Sequence, residues 1–353
     1  KFVKKIGTKD QQKNIYVGEY KVKFHQFLQD TSNPNNSIFF KQIKYLFIDE
    51  YQDINQYYYN IILEMYKKGV IITVVGDDAQ NIYTWNGSKI EYILKFQQEF
   101  NNTESFFLTH NFRSTPEILQ LANQSINKNE HQIHKIISSN IDSIKVKPSV
   151  NYYYSWDREY LGIKTLIDRY IQYGFRYHDI AILSRNCTDN GPLYFLETNL
   201  AKDKLPIVLL EGNKDVRSKI KEDHICLSTI HKSKGLEWCI VFIIGCDDKF
   251  FPSGKDDDKI EEERRLFYVG ITRPKYYLHL SLSSSKSPCL SRFITELDPN
   301  LFQFINTQHL SKNISNVEPK YLELSVVKLI ENLKTEHYIE LREQNILPEL
   351  KWD

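Results

Sequence analysis

Residues 44–53 read KYLFIDEYQD and residues 70–78 read VIITVVGDD. Each is a short apolar run rich in aromatic or β-branched residues that stops on carboxylates, the pattern of a buried strand. Residues 55–68 between them carry a helical pattern, and Gly69 is placed to cap that helix. Strand, helix and strand with a short return form a βαβ unit, which implies a parallel sheet. In open α/β sheets ligands gather at the carboxyl ends of the strands. Asp49-Glu50 and Asp77-Asp78, with Gln80 close behind, therefore fall on one functional edge.

The same alternation continues outward. Residues 106–108 read as a strand, and a helix follows from Pro116, with Ser114 or Thr115 as N-cap. Residues 127–149 are polar and read as a connection. Helices are expected over 160–173, 193–201 and 259–269, and strands over 179–183, 207–210, 225–230 and 238–244, with an alternating strand over 276–282. Residues 306–319 read as a linker and 321–344 as one or two amphipathic helices. The expected fold class is α/β, and a length of 353 residues suits two domains with a tail.

Composition excludes several classes. With 46 basic and 45 acidic residues, net charge does not mark a nucleic-acid binder, so only motifs can argue for one. The 5 cysteines are odd in number and form no Cys-x-x-Cys, which excludes a disulfide framework or zinc ribbon as the default and suits a reducing, intracellular setting, cytoplasmic or nuclear. The longest apolar run, WCIVFIIGC at 238–246, has the length of a strand, well short of the ~18 residues of a membrane span. Tyr (23) and Phe (20) are abundant, but that reads as a compositional bias and not as evidence for base stacking.

The chemistry lies in a few stretches. At the edge of a parallel sheet, one carboxylate of the Asp49-Glu50 pair can hold Mg²⁺ while the next can orient or deprotonate a water for attack on a γ-phosphate. The other reading of a lone Asp-Glu is a solvated loop. Tyr51-Gln52-Asp53, and the neighbouring strand's acids and Gln80, weigh against that reading. Arg113 and Arg273 each suit a phosphate or a surface salt bridge. Tyr83 and Trp85 follow the second strand and suit stacking on unpaired bases, or a core tryptophan. Residues 229–235, TIHKSKG, form a basic loop between strands. It suits phosphate binding through Thr229, Lys234 and backbone N–H groups, or an ordinary solvated hairpin.

Taken in order, these stretches resemble the UvrD/Rep/PcrA group of superfamily 1 DNA helicases. YLFIDEYQD resembles motif II, VVGDDAQNIYTWNGS motif III, FFLTHNFRST motif IV, ICLSTIHKSKGLEWCIVFIIG motif V and EEERRLFYVGITR motif VI. The resemblance implies two RecA-like parallel-sheet motor domains, the first truncated at its amino end. It divides the chain into 1–105, 106–300 and a tail of 301–353. It further implies ATP and Mg²⁺ as cofactors, and single-stranded DNA and its junctions with duplex as partners. The implied activity is a 3′–5′ helicase or translocase. Asp49 would hold Mg²⁺, Glu50 would activate water, Gln80 would sense the γ-phosphate, and Arg113 and Arg273 would stabilise it. Phe112 would stack on adenine, Glu237 would lie near the ribose, and Tyr83, Trp85 and His231 would serve the DNA.

The sequence also departs from that family. No G-x-x-x-x-G-K-[ST] occurs in the 353 residues, and the only Gly-Lys pair, Gly254-Lys255, lacks its context. The expectation is that Lys1 is not the native start and that this phosphate loop lies upstream, leaving the chain alone inactive in ATP hydrolysis. The rival expectation is a non-catalytic single-strand-binding relative. A large accessory (2B) insertion would fall near residues 212–224, where no room is expected for it. Asn86 stands where the family has Arg. A fused nuclease is disfavoured, since residues 301–353 offer no carboxylate cluster with a catalytic Lys.

Overall fold

The computed structural model describes residues 17–210, 223–254, 256–285 and 289–306. Two compact units emerge: residues 1–106 with 131–133, and residues 107–130 with 134–353. The expected helices over 321–344, the linker from 307 and residues 211–222 of the insertion region lie outside the described residues.

In the first unit, helices α1 (Val17–Gln29) and α2 (Pro34–Gln42) lead into strand β1 (Tyr45–Ile48), helix α3 (Gln56–Lys67) and strand β2 (Ile71–Val74). The βαβ expectation holds: β1 and β2 pair in parallel, Tyr45 opposite Ile71 through Ile48 opposite Val74. Asn55 caps α3, its Oδ1 accepting from the N–H of Tyr57 at 3.1 Å and of Tyr58 at 3.3 Å. Gly69 ends it at φ 83°, a conformation that suits a residue without Cβ. Leu46, Ile48, Ile72 and Val74 face α3 and join Tyr51, Tyr59, Ile62, Tyr92 and Phe100 in a core. The alternate residues Tyr45, Phe47 and Ile71 are exposed, so neither strand is buried on both faces as its apolar run suggested. α1 and α2 close the far end through Phe24, Phe27 and Phe39, packed on Leu28, Met65 and Val70.

The second unit opens with β3 (His110–Asn111), α4 (Pro116–Ile126) and β4 (Ser138–Ser139). Residues 106–108, expected as a strand, have no regular structure and lie exposed, Leu108 at 86 %. The pairing falls instead on His110 and Asn111, which meet Ser138 and Ser139 inside the stretch expected to be a plain connection. Next come β5 (Ser149–Tyr153), α5 (Trp156–Gln172), β6 (Ile180–Ser184), α6 (Pro192–Lys202), β7 (Ile207–Leu209) and β8 (Ile225–Thr229). α7 (Ile230–Ser233), β9 (Trp238–Ile244), α8 (Asp257–Ile271), β10 (Pro274–Ser283) and β11 (Gln303–Asn306) complete it.

The strands from β5 on form a seven-stranded sheet, in the order β11-β5-β10-β9-β6-β8-β7. Every pairing in it is parallel. β11 lies beyond residue 300, in the stretch read from sequence as tail. β9 and β10 occupy the middle, with neighbours on both sides and helices over both faces. That position explains why β10, read as alternating, is buried almost throughout. Full burial of each such Leu, Ile or Phe is worth about 1.5–3 kcal/mol relative to exposure. Among the described residues no helix is long and apolar enough to cross a membrane.

Candidate functional site

The carboxyl edge of β1 and β2 is organised by one amide. The parallel ladder runs on through Val75, whose N–H donates to Ile48 O at 2.8 Å and whose carbonyl accepts from Tyr51 N–H at 2.9 Å. Asp49 and Glu50 occupy the excursion between those two bonds. Glu50 takes a left-handed backbone, φ 52°, uncommon for a residue with a Cβ. Gln52 is buried beneath it. Its Nε2 donates to Glu50 Oε2 at 2.5 Å, and its Oε1 accepts from the Asp77 N–H at 2.9 Å. Gln80 Nε2 donates to Asp77 Oδ2 at 2.7 Å. Asn81, also buried, donates to Gln52 O at 2.5 Å. Gly76 makes room for this: a Cβ there would sit 2.7 Å from Gln52 Oε1. The structure thus brings together Asp49, Glu50, Asp77 and Gln80. Gln52, one polar residue among several in DEYQD, joins the two strand ends.

Asp49 remains at the exposed rim, its Oδ1 accepting from Glu50 N–H at 2.9 Å. Among the described residues no group of three or more His, Cys, Asp or Glu forms a ready-made metal cage. Mg²⁺ is ordinarily held by one or two carboxylates together with phosphate oxygens and water, and the hard oxygen donors at this rim fit that habit.

Tyr83 and Trp85 follow on a short 3₁₀ turn, Thr84–Asn86. Trp85 is 73 % exposed, which removes the core-tryptophan reading. Tyr83 meets it edge-on, centroids 5.9 Å apart. Burial, then the Asp53 and Glu50 carboxylates, push the Tyr83 phenol above its ordinary range.

A second cluster sits at the amino ends of β9 and β10. Asn111 Oδ1 accepts from the N–H groups of Arg113 and Ser114, both at 2.8 Å, and so shapes the turn after β3. Ser114 Oγ donates to Pro274 O at 2.7 Å, and Thr115 N–H to Lys275 O at 3.1 Å, which ties that turn to the start of β10. Phe112 projects from it, 75 % exposed. Arg113 Nε donates to Glu237 Oε2 at 2.6 Å, and Lys275 Nζ lies 3.0 Å from Glu237 Oε1. Burial raises the Glu237 carboxyl, but hydrogen bonds from Lys275 and Arg113 outweigh it and leave the group below its usual range. Arg273 is buried nearby, its Nε donating to Val269 O at 2.8 Å and Nη1 to Leu236 O at 3.2 Å. Lys275 was not among the residues singled out from sequence.

Residues 229–235, expected as a loop, contain helix α7, with Thr229 Oγ1 accepting from Lys232 N–H at 3.4 Å as its cap. The hairpin alternative fails, because β8 and β9 are parallel and separated by β6. His231 lies on α7, Lys234 follows it, and the chain runs on into Leu236 and Glu237. At the carboxyl end of β8, Thr229 pairs with Ser184. Beside Ser184, Arg185 is held by Glu263, with Nε 2.9 Å from Oε1 and 2.8 Å from Oε2. This pair too was missed, although an Arg directly after a buried strand was the available signal.

Known proteins match the chain in both units. The model of the UvrD/REP helicase N-terminal domain matches residues 8–101, and that of the UvrD-like helicase C-terminal domain matches residues 106–215 and 205–285. A probable DNA helicase of Mycoplasma pneumoniae is 30 % identical over 281 residues, covering 77 % of this chain and 49 % of that protein. The ATP-dependent DNA helicase Rep of Buchnera aphidicola is 34 % identical over 169 residues, 48 % of this chain and 25 % of its own. For the ATP-dependent DNA helicase PcrA of Staphylococcus aureus the values are 31 % over 186 residues, 51 % and 24 %. The chain therefore spans from a quarter to about half of these relatives. With one domain model on the first unit and the other covering residues 106–285, the chain belongs to the UvrD-like superfamily 1 DNA helicases.

Proposed function

We propose that this chain carries catalytic and DNA-contacting residues of an ATP-dependent motor that moves 3′ to 5′ on single-stranded DNA and separates strands at junctions with duplex. The observation that carries the reading is the Gln52 bridge, which sets Glu50 on one strand end and Asp77 with Gln80 on the next into one hydrogen-bonded edge.

In this reading Asp49 holds Mg²⁺, which supplies charge neutralisation on the phosphates of ATP. Glu50 accepts the proton of the attacking water, and the bond from Gln52 fixes which way its carboxylate faces. Gln80, tied to Asp77, reports whether a γ-phosphate is present. Phe112 stacks on the adenine, Glu237 accepts from the ribose, and Arg113 places positive charge on the transferring phosphoryl group. Arg273 joins it in this role. Tyr83 and Trp85 stack on bases, and Thr229, His231 and Lys234 bind the DNA backbone. The direct chain connection from α7 to Glu237 supports coupling between the DNA and nucleotide contacts.

The test is hydrolysis of ATP by the native protein with and without single-stranded DNA. DNA-stimulated turnover, lost in Glu50→Gln with DNA binding retained, is the expected result. Tight single-strand binding with no turnover in the wild type would favour the non-catalytic alternative.

A further inference from the structure

We propose that Lys275 is a positioning residue of the nucleotide edge, holding Glu237 so that Arg113 can leave that carboxylate for a phosphate without stranding it. The proposal rests on the nucleotide reading above and deepens it.

Three observations carry it. First, Glu237 is shared: Oε2 accepts from Arg113 at 2.6 Å while Oε1 faces Lys275 at 3.0 Å, so each oxygen has its own cation. Second, the Arg113 bond runs through Nε, not through the Nη pair whose parallel donors match a phosphate edge. Third, the backbones are locked together. Ser114 and Thr115 bond to the carbonyls of Pro274 and Lys275, and Trp238 N–H donates to Arg273 O at 3.2 Å. With the main chain fixed, Arg113 reaches a phosphate by rotating its side chain away from Glu237. That rotation takes from Glu237, whose side chain is 42 % exposed, one of its two cations. Lys275, a point charge on a flexible stem, stays on Oε1 and keeps Glu237 oriented toward the ribose. The two cations also account for the depressed Glu237 carboxyl.

The experiment uses the native protein with ¹³C-labelled glutamate side chains. The Glu237 carboxyl is titrated by NMR in wild type, Lys275→Met and Lys275→Arg, and binding of fluorescent ATP and ADP analogues in Mg²⁺ buffer is measured by anisotropy. Lys275→Met is expected to move the Glu237 titration up toward the ordinary range. It should also weaken the ATP analogue about two- to fivefold more than the ADP analogue, the scale of a partly exposed ion pair. Lys275→Arg should restore both. An unmoved Glu237 titration, or equal weakening of ATP and ADP, overturns the role of Lys275 while leaving the nucleotide reading intact. A wild-type native protein that binds neither nucleotide overturns both.

Discussion

Gln52 and Asp77 stand 25 positions apart, yet the Asp77 backbone N–H donates to Gln52 Oε1 at 2.9 Å. The same side chain donates to Glu50, so one buried amide sets the relative placement of the ends of β1 and β2. Gln52→Ala leaves Asp77 N–H without that acceptor and Glu50 without that donor. A loss of about 1–3 kcal/mol in urea unfolding is expected. A change within about 0.5 kcal/mol, the range of ordinary surface substitutions, would show that the bridge does not hold the edge.

Gly76→Ala attacks the same bridge from the other side. The new Cβ would lie 2.7 Å from Gln52 Oε1 and 3.0 Å from Ile93 Cδ1, so the amide must move and its bond to Asp77 with it. The expected loss is about 1–3 kcal/mol. Because both changes break one bond, the double variant should lose less than the sum of the singles. Strict additivity in denaturant melts would place the Gly76 effect elsewhere.

Trp85 is exposed on its turn and packs edge-on against Tyr83. Trp85→Ala should leave stability within about 0.5 kcal/mol. Affinity for a labelled oligo-dT strand should fall by about 1–3 kcal/mol, the value of one base–aromatic stack. A large stability loss with unchanged DNA affinity would reverse the assignment.

Glu159, buried at the start of α5, accepts from Ser281 Oγ at 2.6 Å. Burial raises its carboxyl above the ordinary range, and hydrogen bonds from Ser281 and Ser283 only partly offset this. A folded pKa above the unfolded one means the native state binds more protons. Stability from this group is therefore present below the unfolded pKa and declines as pH rises through the folded pKa. Glu159→Gln should remove that decline, so the melting temperature of the variant should gain on wild type as pH rises from 5 to 8. A constant difference across that range would contradict the assignment.

Local patterns made much of this molecule legible in advance. KYLFIDEYQD and VIITVVGDD announced a βαβ unit because strand, cap and turn residues lie next to one another in the chain. Trp238–Ile244 could be read from its unbroken apolar run because a central parallel strand needs one. What stayed hidden depends on distant partners. Residues 106–108 look like a strand by composition, yet the short pairing formed two residues later, where Ser138 and Ser139 were available. Gln52 reads as one polar residue among several, and only the parallel register of β1 and β2 makes it a bridge. Arg113, Glu237 and Lys275 converge because the turn after β3 is bonded to the start of β10, a contact that no periodicity encodes.

The measurement that tests the central claim most directly is ATP turnover by the native protein across a titration of single-stranded DNA, for wild type and Glu50→Gln. The account predicts turnover that rises with DNA and saturates in the wild type, and its loss in Glu50→Gln at unchanged DNA affinity. Turnover in Glu50→Gln equal to wild type, or no turnover in the wild type with DNA fully bound, would contradict it.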